Sequence, residues 1–220
     1  MPVRNVSNHG GNITGAVPSR KVGRMVHFES LTERAYIYLL EHDDQVIHYE
    51  EQPCTIHYHV EGQRRRYTPD FAVSWTEGLP SLVECKPTTH LDDADNRLKW
   101  TAAQLWCARH GYIFAVVTDA LVQQHVVLLD NLGALAGHAY QRYAPQALDA
   151  VLAVVQAAGV PVPVGTVVER LSQLRPQQTR ACIWHLLAVG TLTADLTQPL
   201  HVKSTLVSLG VIVHAQTLRL

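Results

Sequence analysis

The stretch Ser81-Leu82-Val83-Glu84-Cys85-Lys86 constrains this chain more than any other, because it reads as a core strand yet carries an acid and a lysine at alternate positions. Period 2 points Glu84 and Lys86 to one face and Cys85 to the other. Such charges are costly to bury unless they are paired or hold a metal, which marks them as candidate functional groups. Across a gap of thirteen residues ahead of Glu84 stands Asp70, in Tyr67-Thr68-Pro69-Asp70-Phe71, read as part of a neighbouring strand Arg66 to Trp75. Pro69 removes a ladder donor and is tolerated only at an edge or an irregularity, which is where a site opens.

The surrounding pattern predicts a mixed sheet flanked by helices, an α/β (α+β) body. Ser30 and Glu33 form a capping-box signature before a helix with Leu31, Ala35, Ile37, Tyr38, Leu39 and Leu40 on its buried stripe. Strands are expected at Val46 to Glu51 and Cys54 to Glu61, the second turning at Gly62-Gln63, and at Tyr112 to Thr118. A helix over Asp95 to His110 is expected to bury Leu98, Ala102, Leu105 and Trp106, with Gly111 behind it. A linker is read around Gly133 to Tyr143. Helices at Pro145 to Ala158, Pro163 to Leu174 and Pro176 to Val189 follow, each opened by a proline, and then a hairpin over Thr191 to Val202 with Gln198-Pro199 near its tip. Three short helices and a two-stranded ribbon predict a winged helix. The domain reading is therefore 1–26 as a basic, mobile arm, 27–137 as the mixed α/β domain and 138–220 as the winged-helix domain.

Asp70 and Glu84 offer hard oxygens of the kind that hold Mg²⁺ together with water and phosphate oxygens, and Mn²⁺ is expected to substitute. Lys86 beside them can orient or deprotonate the attacking water and offset charge on a phosphate, which is equipment for phosphodiester hydrolysis. The bland reading of the same residues is a set of strand-end charges paired with Arg64, Arg65, Arg66 or Lys86.

Several ordered runs, namely Glu29 to Arg34, Tyr49 to Pro53, Tyr67 to Phe71, Leu82 to Pro87, and Lys99-Trp100 through Gly111 to Phe114, resemble the TnsA family, the endonuclease subunits of heteromeric Tns transposons. The resemblance spans about residues 27 to 119. It implies a restriction-endonuclease-like PD-(D/E)xK fold followed by a winged-helix-like region, and Mg²⁺-dependent cleavage of the 5′ ends of a transposon in double-stranded DNA. Its implied partners are the DDE transposase TnsB and the AAA+ regulator TnsC, with two copies of this chain where two ends are paired. It further implies metal binding by Asp70, Glu84, Glu33 and the Cys85 backbone carbonyl, with Lys86 as the catalytic lysine. Some relatives carry Gln where this chain has Glu84, the more usual nuclease acid. Glu33 has two readings, a site acid or simply the capping-box acid.

Other residues are open between two roles. Lys99 can reach a phosphate or sit on a solvated helix face. Arg64, Arg65 and Arg66 can hold a DNA backbone or decorate a hairpin tip. His57 and His59 share a strand face at metal-pair spacing but lack a third ligand, which favours a solvent face. Arg175, Gln178 and Arg180 open the third C-terminal helix, which can enter a major groove or dock a protein.

The whole chain, 220 residues with 18 basic and 19 acidic side chains, argues against a free-standing, high-affinity nucleic-acid binder. That balance averages unlike parts: residues 27–137 carry 8 basic and 16 acidic residues, whereas residues 1–26 carry 4 basic and none acidic. A nuclease with such a domain needs a metal ion, positive flanks and partners to meet DNA. Two other readings compete: a stand-alone restriction or repair nuclease of the same fold, and a non-catalytic winged-helix DNA-binding or adaptor protein. Four scattered cysteines, no apolar leader and no uninterrupted apolar run of membrane length predict a cytoplasmic protein.

Overall fold

The computed structural model describes residues 13–210, which fall into two units, 13–124 and 125–210. The first opens with a hairpin, β1 (Gly15–Pro18) and β2 (Met25–Phe28), that buries Val17, Val26 and Phe28. The described part of the expected mobile arm is therefore folded, and Arg4 lies outside the described residues. Its charges are used internally. Arg24 makes a two-pronged pair with buried Glu51 at 2.5 and 2.7 Å, and Lys21 Nζ donates to the Leu40 carbonyl at 2.6 Å.

Helix α1 (Leu31–His42) begins at Ser30, whose Oγ accepts from the Glu33 N–H at 3.1 Å. Its Tyr36, Ile37 and Leu40 pack on one face of a four-stranded sheet. The strands are β3 (Val46–Glu51), β6 (Phe71–Trp75), β7 (Ser81–Cys85) and β8 (Ile113–Val117), in that spatial order. Ahead of β6 in the chain, β4 (Ile56–Val60) and β5 (Gln63–Tyr67) form a separate hairpin. Strand β7 lies antiparallel to β6 and parallel to β8. The parallel pair needs a crossover, and helix α2 (Ala94–His110) provides it after a short 3-10 turn at Thr88–His90. Strand β7 is buried on both faces: Val83 and Cys85 pack with the α1 side, while Leu82 packs with Ala103 and Cys107 of α2. That explains its unbroken apolar character.

Three further expectations change in this unit. The run Arg66 to Trp75 is not one strand but two, because Thr68-Pro69-Asp70 breaks it and the halves join different sheets. Pro69 has no N–H to give a ladder. The β4–β5 turn is Glu61-Gly62, both at positive φ (50° and 76°), as a two-residue hairpin loop requires. Helix α2 buries Asn96, Ala103 and Cys107, whereas Leu98 and Leu105 are exposed. Lys99 is turned inward to Glu84, and helical spacing then carries 96, 103 and 107 inward with it. Helix α3 (Asp119–Gln124) closes the unit.

The second unit starts with α4 (Val126–Ala139), which runs through the segment read as a linker and moves the division ahead of 137/138. Its Leu135 enters the core of this unit with Val151, Val167, Ile183 and Leu187, so packing overrides the two helix-weakening glycines. There follow α5 (Pro145–Ala158), β9 (Val162–Pro163), α6 (Val164–Arg170), α7 (Pro176–Ala188), β10 (Leu192–Thr193) and β11 (Leu206–Leu209). The strands align antiparallel in the order β10-β11-β9. The return strand is thus 206–209, not one ending at Val202, and Gln198-Pro199 lies within the intervening loop. Buried Asn131 of α4 ties that loop by donating to the carbonyls of Leu196 (2.9 Å) and Gln198 (2.8 Å). Among the described residues no helix is long and apolar enough to cross a membrane.

Arg24→Met is expected to lower unfolding free energy at neutral pH by about 2–4 kcal/mol, because the buried Glu51 carboxylate loses its partner. Burial pushes the Glu51 carboxyl up, but the hydrogen bonds from Arg24 and from backbone amides outweigh it and hold the group below its ordinary 4.5. A depressed acid stabilises above its unfolded pKa and loses that contribution as pH falls through the folded one. Urea titrations should therefore show the gap between wild type and variant shrinking as pH falls below 4.5.

Candidate active site

The strand break builds the site. Residues Phe71 and Val83 face each other in the β6–β7 ladder, and continuing that register would set Cys85 opposite Pro69. The chain has left the ladder there, and the Cys85 N–H donates instead to Asp70 Oδ2 at 2.7 Å. On the other side, the Gln52 N–H donates to the Asp70 carbonyl at 2.8 Å. Asp70 is thus held from both neighbouring strands at the end of the sheet, half-buried.

Glu84 belongs to the face of β7 that looks toward α2, and its side chain is 4% exposed. Its Oε2 accepts from the Tyr67 hydroxyl at 2.7 Å, and its Oε1 takes Lys99 Nζ at 3.0 Å and Lys86 Nζ at 3.5 Å. Lys86 and Glu84 therefore share a face, as period 2 predicts. Lys99 also stands 5.2 Å from the centroid of the Tyr67 ring. It is the inward cation of α2 and not a solvated one.

Glu33 uses both carboxylate oxygens locally, accepting from the Glu29 N–H at 2.7 Å and from Ser30 Oγ at 2.8 Å. The capping-box role is thus realised. Glu33 still lies within Coulomb reach of Asp70 and Glu84. Burial first, then the charges of Glu84 and Glu33, push the Asp70 carboxyl well above the ordinary carboxylate range. Burial likewise raises Glu33, with Glu29 and Glu84 adding to it.

Asp70, Glu84 and Lys86 are therefore assembled at one sheet end, with Glu33 nearby and the Cys85 amide engaged by Asp70. Among the described residues no three His, Cys, Asp or Glu side chains form a complete metal cage. Mg²⁺ does not need one: one or two carboxylates suffice when water and substrate phosphate complete the shell, and mutually repelling hard-oxygen donors fit that chemistry. The other candidates lie elsewhere. His57 and His59 are exposed on β4, opposite Arg66 and Arg64 of β5. Arg65 faces the other way, 3.5 Å from Asp95. In the second unit Arg175 and Gln178 are exposed at the start of α7 and Arg180 is half-buried.

Two residues near the site had no role assigned from sequence. Tyr67 reaches Glu84 only because the hairpin folds its foot onto β7. Gln52 sits at φ 48°, an uncommon conformation for a non-glycine residue, is buried, and donates through Nε2 to Glu29 at 3.2 Å. The one available signal was their place within Tyr49 to Pro53 and Tyr67 to Phe71, two of the runs that carry the family resemblance.

Asp70→Asn is expected to raise unfolding free energy near neutral pH by about 1 kcal/mol. A raised acid favours the fold while protonated and loses that contribution as pH rises from its unfolded to its folded pKa, so the gain should vanish in acid. The amide oxygen can still accept from Cys85. Thermal melts at pH 4 and pH 7.5 check this.

Comparison with curated proteins found no match. A family model described as the TnsA-like endonuclease N terminal matches residues 43–119, a stretch that holds Asp70, Glu84, Lys86, Lys99, Tyr67 and Gln52. The mixed sheet, with α1 on one face and α2 on the other, is consistent with a restriction-endonuclease-like fold. The match takes in all four strands of the sheet and α2, so this stretch is similar to the TnsA-like endonuclease N-terminal domain.

Proposed function

We propose that this protein is a Mg²⁺-dependent DNA endonuclease subunit of a heteromeric transposase, hydrolysing the phosphodiester at the 5′ ends of a transposon during cut-and-paste transposition. The observation that carries the reading is the convergence of Asp70, Glu84 and Lys86 at the broken end of a strand pair, inside a stretch similar to the TnsA-like endonuclease N-terminal domain. Asp70 and Glu84 would hold the cation. Bound there, it supplies Lewis-acid stabilisation of the phosphate and lowers the pKa of water. Lys86 is within reach of the same carboxylate edge, where its ammonium can orient the attacking water and offset charge growing on the phosphate oxygens. Tyr67 fixes the Glu84 carboxylate, and the Cys85 N–H fixes Asp70. Glu33 adds negative potential beside them.

The wider assignment follows the family. A DDE transposase of the TnsB type would process the opposite strands and an AAA+ regulator of the TnsC type would license the reaction, with two copies of this chain serving two paired ends in the cytoplasm. The described residues of the first unit carry 11 basic and 15 acidic side chains, which supports dependence on such partners for DNA. In the second unit, the succession from α5 onward of helix, strand, helix, helix, strand, strand, with sheet order β10-β11-β9, supports a winged helix. Arg175 and Gln178 at the exposed start of α7 are its candidate groove contacts, with Arg180 behind them.

Asp70→Ala and Lys86→Ala are each expected to reduce 5′-strand cleavage at transposon ends by about 100-fold or more without loss of fold or partner binding. Gel assays with the partner transposase check this, and EDTA should abolish wild-type cleavage. Full activity of Asp70→Ala, or cleavage in EDTA, overturns the proposal. Sequence-preferring cleavage by the purified chain alone would point to a stand-alone nuclease.

A further inference from the structure

The Glu84 carboxylate carries more positive charge than the nuclease motif accounts for. Besides Lys86 of the motif, it holds Lys99 from the middle of α2, at 3.0 Å and closer than Lys86. A carboxylate has about four lone-pair sites, and three are addressed here, by Tyr67, Lys99 and Lys86. Asp70, by contrast, takes only the Cys85 N–H as a hydrogen-bond donor among the described residues. The Lys99 side chain is 20% exposed and its ammonium is set over the Tyr67 ring, so it is seated by packing and not merely drawn to the nearest acid.

Resting on the metal-site reading above, we propose that Lys99 is the resident counter-cation of Glu84. It compensates the buried carboxylate while no divalent ion is bound, and it is the group such an ion must displace from Oε1, so it sets the metal affinity of the site. An ammonium and a hard dication compete for the same oxygen, and a side chain tethered at that oxygen competes at high effective concentration. Lys99 is thus a positioning residue acting through Glu84. It holds the carboxylate oriented and weakens metal binding until other oxygens, such as those of a DNA phosphate, add to the donor set.

The test measures Mn²⁺ binding to the full chain by calorimetry, without DNA. Lys99→Met keeps the apolar stem over Tyr67 and removes the charge, and it should bind Mn²⁺ roughly tenfold more tightly than wild type. Lys99→Gln should also bind more tightly, whereas Lys99→Arg should stay close to wild type. A simple loss of packing would move the melting temperature but would not tighten metal binding or be rescued by arginine. Unchanged or weaker binding in the folded Met and Gln variants, with wild type binding Mn²⁺, overturns the role of Lys99 alone. Absence of Mn²⁺ binding in wild type and variants alike overturns the metal-site reading and this inference with it.

Discussion

Crowding of carboxylates at one end of a sheet is the constraint on which the rest of the first unit depends. Glu33, Asp70 and Glu84 lie within electrostatic reach of one another, and burial alone already opposes the ionisation of Asp70 and Glu33. Each is met by a different device. Asp70 takes a backbone N–H freed by the Pro69 break, Glu33 is occupied by the turn it caps, and Glu84 is surrounded by a hydroxyl and two ammonium groups. These devices come from α1, β5, β7 and α2, so the site holds the domain to a particular arrangement as much as the domain holds the site. Proteins commonly store destabilisation where they do chemistry.

The same logic accounts for the hairpin β1–β2. Its basic residues look like a DNA-binding arm by composition, yet Arg24 is spent on buried Glu51 and Lys21 on the carbonyl end of α1. Glu51 ends β3, next to Gln52, which in turn holds the Asp70 carbonyl. Charge that seemed available for phosphate thus stabilises the strand beside the site. On the exposed face of β4–β5, His57 and His59 stand opposite Arg66 and Arg64, while Arg65 turns to Asp95.

Much of the site could be read from residue order because strand alternation is a strict rule. Glu84 and Lys86 do share a face, Cys85 does enter the opposite core, and Pro69 does mark an irregularity beside Asp70. The errors fell where a local signal was outvoted by packing. Leu98 and Leu105 look like the core of α2, but the inward turn of Lys99 rotates them to solvent. Gly133 and Gly137 look like a linker, but Leu129 and Leu135 of the same helix are buried. Gln198-Pro199 looks like a hairpin tip, but Asn131 draws that segment into a longer loop.

The sequence by itself determined the chemistry on offer: two hard-oxygen acids and a lysine at fixed spacing, on strands whose alternation sets which side chains can meet. It also determined the mixed α/β character and the proline-led helices of the second unit, because periodicity and helix starts are local properties. Only the tertiary structure decided which cations those acids keep. Lys99 is separated from Glu84 by 15 positions and Tyr67 by 17, and neither spacing carries a face rule. Their meeting depends on how the α2 crossover and the β4–β5 hairpin pack against β7, an outcome of burying apolar surface across the whole domain.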